Sequence, residues 1–101
     1  MAIDMSKEIR RAIDTGEVKF GTEQVLKDLR DENTQLVIVA SNAPAPAVRK
    51  ITAFAKTANV PIEKVEVNNT ELGALCGKPF AIAALSVRSE GKSKILEGKS
   101  T

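Results

Sequence analysis

Histidine, tryptophan and tyrosine are absent from this 101-residue chain, and cysteine occurs once, as Cys76. Without imidazole the commonest general base is missing, and one thiol builds neither a Cys/His zinc cluster nor an intramolecular disulfide. Most hydrolase and metalloenzyme readings fall on that ground. The three phenylalanines are the only aromatic residues, and the paired-aromatic signature of the RRM is missing. Neither G-x-G-x-x-G nor G-x-x-x-x-G-K-[ST] occurs, which removes the standard phosphate-cofactor loops. The longest apolar runs are too short to cross a bilayer, and no apolar leader with a cleavage site opens the chain. The expectation is an intracellular, cytoplasmic protein in a reducing compartment, with no membrane partner, cofactor, metal or small-molecule substrate.

What is present suits one compact domain over residues 1–101, because 43% of the residues are hydrophobic and the chain is too short for a second core. Fifteen basic against thirteen acidic residues leave a formal charge of +2. That excess is small, so the placement of the cations decides whether the partner is a polyanion.

Ile9, Ala12 and Ile13 are spaced for a helix over residues 6–15, with Ser6 as N-cap and Gly16 ending it in a left-handed conformation. A strand over 17–20 then runs through Gly21 and Thr22 into a second helix, whose buried stripe is Val25, Leu26 and Leu29. Residues 36–40 are apolar at every position, the pattern of a central strand covered on both faces. After a loop over 41–45, Pro46 suits the first turn of a third helix, which Asn59 and Pro61 close. Over residues 62–67 the charged Glu63, Lys64 and Glu66 interrupt the apolar side chains, as in a less buried edge strand. Asn68 and Glu71 have capping-box spacing for a short helix that Gly77 and Pro79 stop. A last strand is expected over 81–87. The polar tail beyond Arg88 contains Ile95 and Leu96, which could add a return strand, and its final residues are expected to fray. The alternation predicts an α/β fold: a three-layer α/β/α sandwich around a mixed sheet of about four strands.

Three loops carry the residues suited to binding, and such a fold can bring them to one end of the sheet. Gly21 leads a helix start, where free backbone N–H groups and the helix dipole favour a phosphate. Thr22 adds a hydroxyl and Lys27 a cation. The competing reading makes Gly21 and Thr22 a turn and an N-cap. Glu23 complements the same positive dipole end, which argues against simple phosphate binding and suits acceptance from a base amino group. Asn42 can pair with a base edge or phosphate, or cap its own backbone. Phe80 beside Lys78 can pack on an unstacked base while the cation meets phosphate, or Phe80 can be core. Cys76 reads as a small buried apolar residue.

The segments IRRAIDTGEVKFG, GTEQVLK, IVASNAP and NNTELGALCGKPF, in this order over nearly the whole chain, resemble the ribosomal L-thirty-e family of archaea and eukaryotes. That family belongs to a superfamily of kink-turn RNA binders that includes L-seven-Ae. The resemblance implies an α/β/α sandwich that grips a sharply bent RNA through a glycine-led helix start, an asparagine loop and an apolar loop. On this chain it assigns Gly21, Thr22 and Lys27 to the first, Asn42 to the second, and Lys78 and Phe80 to the third. Gly73 matches a structural position. Glu23 and Gln24 stand at the base-reading positions of the first motif, where relatives often show Asn or Lys and then Glu.

The resemblance implies a non-enzymatic constituent of the large ribosomal subunit that recognises a kink-turn or internal loop of ribosomal RNA among neighbouring ribosomal proteins and is monomeric when free. The alternatives are a guide-ribonucleoprotein or messenger binder with the same grip, and a protein-interaction module without RNA binding. An enzyme would have to use Lys27, Glu23 or Cys76, none of which has an evident activating partner.

Overall fold

The computed structural model describes residues 5–91. Its elements are α1 (Met5–Thr15), β1 (Glu17–Phe20), α2 (Thr22–Arg30), β2 (Leu36–Val39), α3 (Ala45–Ala58), β3 (Ile62–Lys64), α4 (Asn69–Leu75) and β4 (Ala84–Ser89). The four strands form one mixed sheet in the order β1-β4-β2-β3. β4 runs antiparallel to both β1 and β2, and β3 is parallel to β2.

Side chains alternate across a strand, and the uninterrupted apolar run of β2 is divided between two cores accordingly. Leu36, Ile38 and Ala40 pack with Ile9 and Ala12 of α1 and with Leu72 of α4. Val37 and Val39 pack with Val25 and Leu29 of α2 and with Ile51 and Ala55 of α3. The chain is therefore the expected α/β/α sandwich. The same alternation in β4 sends Leu85 and Val87 to the first core and Ala84 to the second.

Several local expectations are revised. Ser6 lies inside α1 rather than capping it. Gly16 is not among the positive-φ residues; it is required because a Cβ there would overlap the Ser89 carbonyl oxygen and press on Gly91 N. β3 ends at Lys64 rather than residue 67, although Val65 N–H still donates to Val39 O and Ser41 N–H to Val67 O. β4 begins at Ala84 rather than residue 81, because Ile82 N–H donates to Asn69 O in α4 instead of to a strand. The possible return strand at Ile95 and Leu96 lies outside the described residues. Pro46 does stand in the first turn of α3, and Asn59 closes that helix with φ 60°. The capping box is present: the Asn68 side chain accepts from Glu71 N–H at 2.8 Å, and Glu71 accepts from Asn68 N–H at 2.9 Å.

Candidate nucleic-acid interface

Strand directions bring the three loops together. β1 and β2 both end where antiparallel β4 begins, so Gly21, Ser41 and the loop before Ala84 meet at one end of the sheet. Backbone hydrogen bonds tie them: Gly21 N–H donates to Ala84 O, and Ala40 N–H to Ala83 O. α4 joins through the Ile82–Asn69 bond, and Lys78 N–H donates to Gly73 O.

At the first loop Gly21 is the N-cap of α2, with φ 102° and ψ 147° and no side-chain cap. This conformation belongs almost exclusively to glycine. A Cβ built there would meet nothing within 4 Å, so the space beside Gly21 is open. Thr22 is the first helical residue, and the first intrahelical bond is Val25 N–H to Gly21 O. The preceding N–H groups have no side-chain cap, which leaves the positive end of the helix available to an anion. Glu23 and Lys27 are exposed, and their four-residue spacing puts them on one face.

Gln24 is different, because its side chain is tied into the protein. Nε2 donates to Asp28 Oδ1 at 2.9 Å. Asp28 is fully buried and also accepts from Ser86 Oγ at 2.5 Å and from Arg88 Nε and Nη2 at 3.2 and 2.7 Å. Arg88 reaches on to Glu17 at 3.2 Å. Burial alone pushes the Asp28 carboxyl up, but the hydrogen bonds from Arg88, Ser86 and Gln24 and the Arg88 charge outweigh it, so the group sits below the ordinary carboxylate range. It is an anion that only accepts.

Asn42 is exposed but not idle. Its Oδ1 accepts from Asn69 N–H at 2.7 Å, and its Nδ2 donates to Asn69 Oδ1 at 3.1 Å. It ties the second loop to the start of α4 rather than capping its own backbone, and one amide proton remains for a ligand. Asn42→Ala is expected to cost about 1–2 kcal/mol, whereas Asn42→Asp, which keeps the acceptor for Asn69 N–H, should recover part of it. Urea unfolding of the three proteins checks this; equal losses for the two variants would discount the bond to Asn69 N–H.

Phe80 is the exposed large hydrophobic residue among those described, at 57% exposure, so it is not core. Lys78 is exposed too, with its ammonium 5.0 Å from the centroid of the Phe20 ring, a cation–π distance. That contact sets the third loop beside the end of β1. Gly73 lets α4 approach the Phe80 backbone, since a Cβ there would overlap the Phe80 carbonyl oxygen. Cys76 is buried. Burial pushes its thiol up to about 11 against the opposing charges of Lys78 and Arg10, so it is a neutral packing group. No group of three or more His, Cys, Asp or Glu side chains that could hold a metal occurs among the described residues.

All eight residues expected at the site thus lie on the three joined loops or the first turns of α2. Sequence reasoning missed Asn69, Phe20, and Asp28 with its contacts to Gln24, Ser86 and Arg88. The i,i+4 spacing of Gln24 and Asp28 was a usable signal for one of these contacts; the others join residues far apart in the chain.

These features define a compact α/β protein with three loops gathered at one end of its sheet. A solved structure of a protein of unknown function from Bacillus halodurans C has the same fold, with a TM-score of 0.81, 24% identity and 93% of each chain covered. The chain belongs to the Ribosomal protein L7Ae/L30e/S12e/Gadd45 family, which matches residues 3–97. It is 40% identical over 95 residues to the large ribosomal subunit protein eL30 of Methanocaldococcus jannaschii, covering 94% of this chain and 86% of that one. Identity to the eL30 of Methanobrevibacter smithii is 39%, with 94% and 96% covered. For Methanosphaera stadtmanae it is 36%, with 96% and 99% covered.

Proposed function

We propose that this chain is a structural constituent of the large ribosomal subunit that binds ribosomal RNA and recognises a kink-turn-like bend, and that it is not an enzyme. The observation that carries this reading is the joining, at one end of the sheet, of an uncapped helix start behind Gly21, the Asn42 loop, and an exposed Phe80 beside Lys78. Each part suits a different feature of bent RNA. The helix start and Lys27 suit phosphates, and Phe80 suits a base that the bend has unstacked. Shape is then read by the spacing of the three loops rather than by a long series of base contacts. The names of the eL30 relatives favour the ribosome as the setting.

The test is a titration against a kink-turn RNA and a straight duplex of matched length at two salt concentrations. Phe80→Ala should weaken kink-turn binding roughly tenfold, the scale of one lost base–aromatic stack. Lys27→Ala should lower the salt slope by about one counterion. Equal weak binding to both RNAs, unchanged by either substitution, would overturn the reading.

A further inference from the structure

We propose that Asp28 is a positioning residue for RNA recognition: it holds the Gln24 carboxamide by its nitrogen and so presents the carbonyl oxygen as an acceptor for a base-edge N–H. The inference rests on the RNA-binding reading above and deepens it. A free glutamine can rotate its amide and offer either a donor or an acceptor. Gln24 lacks that freedom, because the atom 2.9 Å from it is an oxygen of the Asp28 carboxylate, which has no proton to give. Only the amide nitrogen can face it.

Asp28 is itself fixed. Besides Gln24, its oxygens accept from Ser86 and from two nitrogens of Arg88, and the β4 register places Ser86 and Arg88 two residues apart on the face that α2 covers. The chain of contacts therefore runs from the interior of the sheet to the first turn of α2. At its outer end the Gln24 carbonyl oxygen has no hydrogen-bond partner among the described residues. Guanine imino and amino groups, and the amino groups of adenine and cytosine, are the donors it can meet. A glutamate at position 24 would set a second carboxylate against Asp28, which explains why glutamine suits this site.

Kink-turn binding by the wild type, Gln24→Ala, Asp28→Ala and the double variant tests this, at a temperature where circular dichroism shows all four folded. Gln24→Ala and Asp28→Ala should each weaken binding roughly three- to tenfold, the scale of one hydrogen bond. The double variant should bind no worse than Gln24→Ala, because Asp28 acts through Gln24. A purely structural Asp28 would instead cost the same factor with and without Gln24, and that result, or no loss from Asp28→Ala, overturns the inference while leaving the RNA-binding reading intact. A wild type that binds bent and straight RNA equally overturns both. Should Asp28→Ala not fold, proton NMR of the wild type decides. The Gln24 Nε2 protons should exchange slowly and keep their resonance position when RNA is added, and their release on binding would overturn the proposal.

Discussion

Gly73→Ala is expected to cost about 3 kcal/mol of stability and most of the affinity for bent RNA. Helix propensity alone argues the other way, since alanine in a helix interior is favoured over glycine by about 1 kcal/mol. The clash decides the sign. The added Cβ would overlap the Phe80 carbonyl oxygen and stand 3.0 Å from its carbon and 3.3 Å from Ala81 Cα. All three are backbone atoms, so no rotamer change relieves the overlap. Either α4 moves away, breaking the Ile82–Asn69 and Lys78–Gly73 hydrogen bonds, or the loop that presents Phe80 shifts. Urea unfolding together with the kink-turn titration checks both halves. A variant as stable as the wild type would mean that the loop is not held against α4.

The second large effect is at Asp28. Asp28→Ala strands Ser86 Oγ, the Gln24 amide and part of the Arg88 guanidinium, and is expected to cost about 2–4 kcal/mol. Acid should reproduce part of that loss. The carboxyl sits below its unfolded value, about 3.9 for aspartate. The folded state therefore holds fewer protons there than the unfolded chain as pH falls through that range. The stabilisation is fully present above the unfolded value and is lost as pH drops through the lower folded one. Melting temperature measured between pH 6 and pH 2 should fall more steeply for the wild type than for Asp28→Ala below about pH 4. Parallel curves would show that the carboxylate contributes nothing specific.

Most of the fold was legible because its periodicities are local. The unbroken apolar run of β2, the stripe of α2, Pro46 in the first turn of α3 and the Asn68–Glu71 box each depend on neighbours within a few positions. Two of the errors originate in contacts between distant segments. Gly16 looked like a left-handed helix stop, yet what requires glycine there is the approach of Ser89 and Gly91. Residues 81–83 looked like strand, yet Ile82 spends its N–H on α4.

For the site, residue chemistry alone marked Gly21, Lys27, Asn42, Lys78 and Phe80 while leaving both a structural and a binding role open for most of them. The structure separates these roles by burial and by partners. Phe80 is exposed and Gly21 opens onto free space, whereas Asn42 and Gln24 are held by Asn69 and Asp28. The sequence by itself determined the layered α/β order, the three candidate loops and the want of histidine, because these follow from residue type and short-range spacing. Only the tertiary structure decided that the loops share one end of the sheet, that Asn42 is a tie as well as a candidate ligand, and that Asp28 is anchored by Ser86 and Arg88. Strand direction and register place side chains up to 71 positions apart within hydrogen-bond reach, and no local pattern encodes that distance.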